Sequence, residues 1–372
     1  MIYSVLKKGS KIVLCFTIVV LSFFLITSSS YALEAVEEHV TASDGTKIQW
    51  GIREGYEKSD KTGKGLDPVM YYGHKPDVEK ATDQEIQKAW WYEIRGQYCN
   101  NLYGFEGSKQ GGFDVGALIR KTNKAGLSRD SATRRCVMTW PKLNGLDYRD
   151  TTMFLTPEDM RGIQTLIWHY IDPKKDYDQW LWVPALRKVR KLGAAEGEDS
   201  FGGMDIDYDD GFLRTPFQDS YKLIRIDVVN DKFIEEQRQD MADSKDIDKM
   251  TEYLKKEAFG HKMWVQESKP LLTRFSYARR IVWVEQNTWR EVKSEWYDEG
   301  GRKVKVMYRS WREYPFCDDR TKKHLFEDLI YAKNLLTGHH SEMIVTMKDM
   351  INNPKAENAE IFTVRYLMKS KW

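Results

Sequence analysis

WLWVPALRKVRKLGAAEGEDSFGGMDIDYDD, residues 180–210, passes from alternating tryptophans through a basic cluster to a run of acids. In a strand, Trp180 and Trp182 share one face, Leu181 and Val183 take the other, and Pro184 marks the strand end or an edge. Arg187, Lys188, Arg190 and Lys191 flank Val189, GAAEGED turns the chain, and Asp205, Asp207, Asp209 and Asp210 follow. The spacing predicts cross-strand charge pairing on a solvated face. A calcium loop does not fit. In DIDYDDG the glycine is seventh instead of sixth, and Pro216 occupies the place of the closing glutamate.

Around this stretch the pattern is that of a β protein. ATRRCVMTW places Arg134, Cys136, Met138 and Trp140 on one strand face and Arg135, Val137 and Thr139 on the other. DTTMFLTP, LIWHY, DQWLWVP, DSYKLIRIDVV, YARRIVWVE, TWREVKSEWYD and RKVKVMYRSW read as further strands. Gln286-Asn287 and Asp298-Glu299-Gly300-Gly301 are hairpin signals between consecutive pairs. SEMIVTMKDM and EIFTVRYLM read as closing strands, and a short helix is expected over 323–336. Thr82 and Glu85 form a capping-box pattern ahead of Ile86, Ala89, Trp90 and Ile94, which recur at helical spacing. Residues 230–259 are polar with helical propensity, and read as surface helices or an insertion. Consecutive hairpins with few helices favour a large curved antiparallel sheet over a doubly wound fold. Such an aromatic-rich sheet is expected to curl and enclose a volume.

The first residues carry Lys7, Lys8 and Lys11, an apolar run from Ile12 to Ile26, then SSSYA. This is the layout of a secretory signal with cleavage after Ala32, and the run is shorter than the roughly 20 residues that span a bilayer. The expected product is periplasmic, with residues 33–80 an irregular lead-in and 81–372 a single domain. Without the three signal lysines, 55 basic residues face 56 acidic ones, a balance with no electrostatic footprint for nucleic acid. Of the cysteines beyond the signal, Cys99, Cys136 and Cys317, the first two are the expected disulfide in an exported chain. No metal, cofactor or nucleophile motif appears. His169 reads as a packed histidine and His339-His340 as an exposed pair, so no catalytic residue is assigned.

WLWVPALRKVRKL followed by SFGGMDIDYDD resembles a block of the exported outer-membrane lipoprotein-sorting (LolA/LolB-like) proteins. The resemblance extends through RDTTMFLTPEDMRGIQTLIWHY, RIVWVEQNTWREVKSEWYDEGGRKVKV and EIFTVRYL, covering most of residues 130–372, with Gly203 where the family has Ser or Thr. It implies an α+β, mainly antiparallel fold: a half-open curved β-barrel with helices covering its mouth and an apolar cavity for acyl chains. It also implies a lipid or acylated lipoprotein as ligand, transient membrane contact, an inner-membrane export permease and an outer-membrane acceptor. Trp180, Trp182 and Met153 are then expected to line or border the cavity. Arg187 and Arg190 would stand at its entrance, paired with Asp205 or Asp207 or meeting an anionic headgroup. The other reading is an adaptor or envelope-stress sensor that binds a protein through the same fold.

Overall fold

The computed structural model describes residues 39–41, 47–49, 78–87, 111–140, 146–170, 175–193, 200–271, 275–315, 323–346 and 359–369. The signal segment, most of the lead-in, Cys99 and Cys317 lie outside the described residues, and with them the expected cleavage site and disulfide. Cys136 itself is buried.

A short hairpin joins β1 (His39–Thr41) to β2 (Lys47–Gln49). Two antiparallel meanders follow. The first is β3 (Gly111–Thr122), β4 (Ser128–Trp140), β5 (Leu146–Thr156), β6 (Gln164–Tyr170), β7 (Asp178–Val183) and β8 (Lys188–Leu192). The second is β9 (Asp219–Val228), β10 (Lys262–Pro270), β11 (Arg279–Glu285), β12 (Arg290–Tyr297), β13 (Lys303–Pro315), β14 (Lys323–Asn334) and β15 (His340–Val345). Each strand pairs with its sequence neighbour within a meander, and β15 pairs with β3 to join the two into one 13-stranded sheet. The edges are therefore β8 and β9, consecutive in sequence and unpaired with each other, so the barrel stays open.

The chain between those edges shows how far the sheet curls. Asp209 accepts a hydrogen bond from the hydroxyl of Tyr177, next to β7, at 3.4 Å, while Asp210 meets the Lys305 ammonium on β13 at 2.5 Å. Strands β7 and β13 are seven positions apart in the sheet, about 34 Å if it were flat. Two adjacent residues with Cα atoms about 3.8 Å apart span that gap only if the sheet rolls around them. The inner face accordingly holds one apolar cluster drawn from distant strands: Phe154 and Ile167 from the first meander, Trp296, Met307 and Ile330 from the second, and Phe201, Met204 and Ile206 from the connecting segment.

The helices between β9 and β10 cover the outer face of the second meander. Asn230 caps α1 (Asp231–Asp240), its side chain accepting from the Phe233 amide at 3.0 Å. Next comes α2 (Ile247–Tyr253), continuing into a π turn over Leu254–Ala258. Phe233, Ile234, Met241, Met250 and Leu254 suffice to seat this polar segment on Met263, Ile281, Trp283, Tyr308 and Tyr331. Upstream, residues 83–87 are helical. The capping box is formed: the Thr82 amide donates to Glu85 at 2.8 Å and the Glu85 amide to the Thr82 hydroxyl at 3.4 Å.

Two expectations are corrected. Residues 323–334 are strand β14, not a helix, because a central strand covered on both faces buries Phe326, Leu329, Ile330, Tyr331 and Ala332 in near succession and loses its alternation. EIFTVRYLM is not a closing strand but a 3-10 turn, Ala359–Phe362, and α3 (Val364–Lys369). Its Phe362 and Leu367 pack onto the outer face of the first meander.

Candidate ligand-binding surface

The register of β4 to β8 places a row of side chains on the outer face. Thr151 pairs with Leu166 and Cys136, Gln164 with Met153 and Trp182, Trp168 with Arg149 and Asp178, and Trp180 with Leu166 and Lys191. Cys136, Met138 and Leu166 are buried at the base of this row. Trp168, Trp180, Trp182 and Val189 are only partly covered. The Trp168 and Trp180 rings meet edge to face at 4.8 Å, and the Trp168 indole N–H donates to the Phe362 carbonyl at 3.0 Å, tethering the C-terminal cover. The six residues of α3, with Phe362 and Leu367 as anchors, are the cover seen over this aromatic row among the described residues.

One end of the row is polar. Asp178 accepts from Tyr170 at 2.6 Å and pairs with Lys191 at 2.7 Å, and the Lys191 ammonium lies 5.5 Å from the Trp180 ring centre. Burial and the bond to Asp178 push the Tyr170 phenol up to about 12, so it remains a neutral donor. Lys175 lies over the Tyr170 ring at 3.4 Å, giving this end two ammonium groups beside aromatic faces.

Trp180, Trp182 and Met153 thus share one face, with Trp168 as a neighbour that reasoning from the sequence did not single out. Arg187 is exposed at the tip of the β7–β8 connection, where it closes the 3-10 turn Pro184–Leu186 in a left-handed conformation (φ 48°). Arg190, opposite Leu181, belongs to the other face and is exposed. The basic cluster is therefore mostly β8 itself, an edge strand with Lys188, Arg190 and Lys191 among its five residues.

The acids have other partners than the expected arginines. Asp205 accepts from the Ser341 hydroxyl at 2.7 Å and meets His339 Nδ1 at 2.5 Å. Asp207 pairs with Lys305 at 3.1 Å. Because the chain re-enters the barrel after Ser200, these carboxylates meet β13 and β15 instead of the neighbouring hairpin. Around them lies a charged interior. Arg214 pairs with Asp210 and Asp219, each at 3.2 Å, Arg280 reaches Asp219 at 3.5 Å, and Arg309 pairs with Glu291 at 3.4 Å and with Glu327. Burial alone raises the Asp210 carboxyl, but Lys305, Arg214 and Arg280 outweigh it and hold the group well below the ordinary range. Burial and the Asp210 charge push Asp207 the opposite way, well above it. Of the histidines, His169 is buried and stacked on Tyr148 at 3.8 Å. A further groove of about 600 Å³ lies beside α2, lined by Lys249, Glu252, Lys256, Glu285, Arg312 and Asp328, charges of both signs that are ill suited to an acyl chain.

A 13-stranded antiparallel sheet, rolled around its own connecting segment and flanked by few helices, is the LolA-like fold also seen in an outer-membrane lipoprotein-sorting protein domain. The chain belongs to the family described as "Uncharacterized protein", whose sequence profile matches residues 147–236 and 222–369. Its fold is similar to the crystal structure of an outer membrane lipoprotein-sorting protein domain from Vibrio parahaemolyticus. That match has 18% identity and TM-score 0.54, and covers 78% of this chain and 100% of the other. A DUF1329 family protein from Desulfovibrio piger matches at 18% identity and TM-score 0.53, over 77% and 100% of the two chains. A LolA superfamily protein from Nitrosomonas europaea matches at 18% identity and TM-score 0.44, over 77% and 99%. No curated protein matches the sequence. Among the described residues, no helix is long and apolar enough to cross a membrane.

Proposed function

We propose that the protein is a periplasmic carrier that shields an acyl chain of a lipid or lipoprotein during its passage between membranes, and that it catalyses no reaction. One observation carries this reading: Trp168, Trp180 and Trp182 form a partly covered aromatic row above buried Met138 and Leu166, closed by the six-residue α3. A helix this short has little stability of its own and holds its place through side-chain anchors. Its departure would uncover an apolar strip, and each methylene laid there contributes about 0.8 kcal/mol. Met138 and Met153 add adaptable walls. Lys175 and Lys191 at the polar end suit an anionic headgroup. The charged interior of the barrel argues against the inner face, where an alkyl chain would separate ion pairs that have no water to replace them. Export by a cleaved signal fits this role, as do transient membrane contact, delivery by an inner-membrane permease and release to an outer-membrane acceptor.

Quenching of tryptophan fluorescence by a brominated fatty acid tests the site. The carrier reading expects saturable quenching that shrinks in Trp180→Phe and Trp182→Phe; quenching unchanged in both variants would place the chain elsewhere. The mixed-charge groove beside α2 favours the second reading, an adaptor or stress sensor for a polypeptide partner, under which no saturable quenching is expected.

A further inference from the structure

The two edges of the sheet are built differently. Strand β8 offers five residues of which three are cations, so a second copy laid against it meets like charge at every turn. Strand β9 is ten residues long, and its exposed face is apolar: Leu223, Ile224, Ile226 and Val228 are 36%, 42%, 46% and 37% exposed. Lys222 and a bulge at Ile224 blunt its first half. Nothing of that kind protects residues 225–228, which read Arg-Ile-Asp-Val and carry one charge of each sign.

The hydrogen-bonding groups of this stretch face outward in a fixed pattern. The Val229 amide donates to the His261 carbonyl at 3.0 Å, so by antiparallel alternation Asp227 and Arg225 turn their N–H and C=O groups toward β10, while Ile226 and Val228 present theirs to the free edge. Among the described residues no strand pairs with that edge.

We infer that β9 is a homodimer interface, in which two copies pair antiparallel about a two-fold axis through Ile226. In that register Ile226 faces its own mate in a hydrogen-bonded pair, Ile224 faces Val228, and Arg225 faces Asp227 twice over. The sequence is self-complementary about that one position. Shifting the axis to Arg225 or Asp227 sets like charges opposite each other, and shifting it by half a step sets Arg225 against Ile226 and Asp227 against Ile224. The charged pair is already presented on one side of the strand, since Arg225 Nε lies 2.9 Å from Asp227, which also accepts from the Trp283 indole at 2.8 Å. Pairing would join two open barrels edge to edge and cover the apolar strand.

Sedimentation velocity of the mature chain over about a hundredfold range of concentration tests this, because a dimer dissociates by mass action. The wild-type chain is expected to dimerise. Arg225→Asp and Asp227→Arg are each expected to raise the dissociation constant at least about tenfold, since each reverses two cross-strand pairs, and the double variant to restore it. Ile226→Cys tests the register without depending on those variants: a hydrogen-bonded pair holds its Cα atoms about 5.5 Å apart, within reach of a disulfide, so mild oxidation should link two copies. Ser220→Cys, about 40 Å from its mate in this register, should not link. A wild-type chain that stays monomeric throughout overturns the inference. So does a dimer that is indifferent to Arg225→Asp and gives no Ile226→Cys cross-link beyond that of the wild type.

Discussion

Replacing Lys305 by Met isolates the contribution of the charged interior. The Lys305 ammonium lies 3.1 Å from Asp207 and 2.5 Å from Asp210, and its side chain is largely withdrawn from water. Methionine fills the space but leaves two neighbouring carboxylates without the cation between them. Arg214 and Arg280 still neutralise Asp210, so the cost falls mainly on Asp207. Removing one partner of a buried pair costs about 3–5 kcal/mol. For a chain of this size that is roughly 6–10 °C in melting temperature, at about 2 °C per kcal/mol. Thermal unfolding followed by calorimetry at pH 7 and pH 5 is the assay. A carboxyl whose folded pKa is raised binds more protons folded than unfolded, so it destabilises the fold as pH climbs from its unfolded pKa toward its folded one. Without Lys305, Asp207 is raised further, and the loss should be smaller at pH 5 than at pH 7. Adding Asp207→Asn should recover most of it. A Lys305→Met protein within about 1 kcal/mol of wild type at both pH values would mean the cluster is solvated, since that is the scale of exposed pairs, and would remove the objection to an acyl chain on the inner face.

Other outcomes follow from the same contacts. Asp210 is depressed in the fold, so its stabilisation is complete above an unfolded carboxyl pKa of about 4 and is lost as pH falls below that value; Asp210→Asn should flatten acid unfolding monitored by circular dichroism. Trp182→Glu should abolish fatty-acid binding with the circular dichroism spectrum unchanged, because the ring is only partly covered and the carboxylate can reach water. Leu367→Asp should release α3 at a cost of up to about 3 kcal/mol, read as a red-shifted tryptophan emission and a faster association with fatty acid. Replacing Arg187 and Arg190 together by Gln should leave binding unaltered and shift stability by less than about 1 kcal/mol, since both side chains are exposed.

Local chemistry made much of this fold legible in the sequence. The Thr82–Glu85 box formed as its spacing implied, and the β12–β13 hairpin turns at Gly301, which takes a φ of 77° as such a turn requires. The alternation of Trp180 and Trp182 correctly put both on one face. What failed was long-range. Asp205 and Asp207 were expected to meet arginines some 20 residues away, yet their partners on β13 and β15 lie about a hundred or more residues along the chain, a distance no local pattern encodes. The charges of β8 hide its period, and the inner face of β10 carries Gln266 and Ser268, polar but buried, so neither strand shows in the local pattern. The C-terminal segment is ambiguous in sequence because a short amphipathic stretch fits a strand as well as a helix, and the aromatic face it covers decides between them. Nothing local marks Trp168: its importance lies in its bond to Phe362, 194 residues away.

The central claim is that an acyl chain occupies the aromatic face under α3, and lipid extraction with native mass spectrometry on protein purified from its own envelope tests it most directly. The account predicts a stoichiometric lipid or acylated peptide that is lost in Trp182→Glu. Protein that is consistently empty, under conditions where a known lipid carrier keeps its ligand, would contradict it.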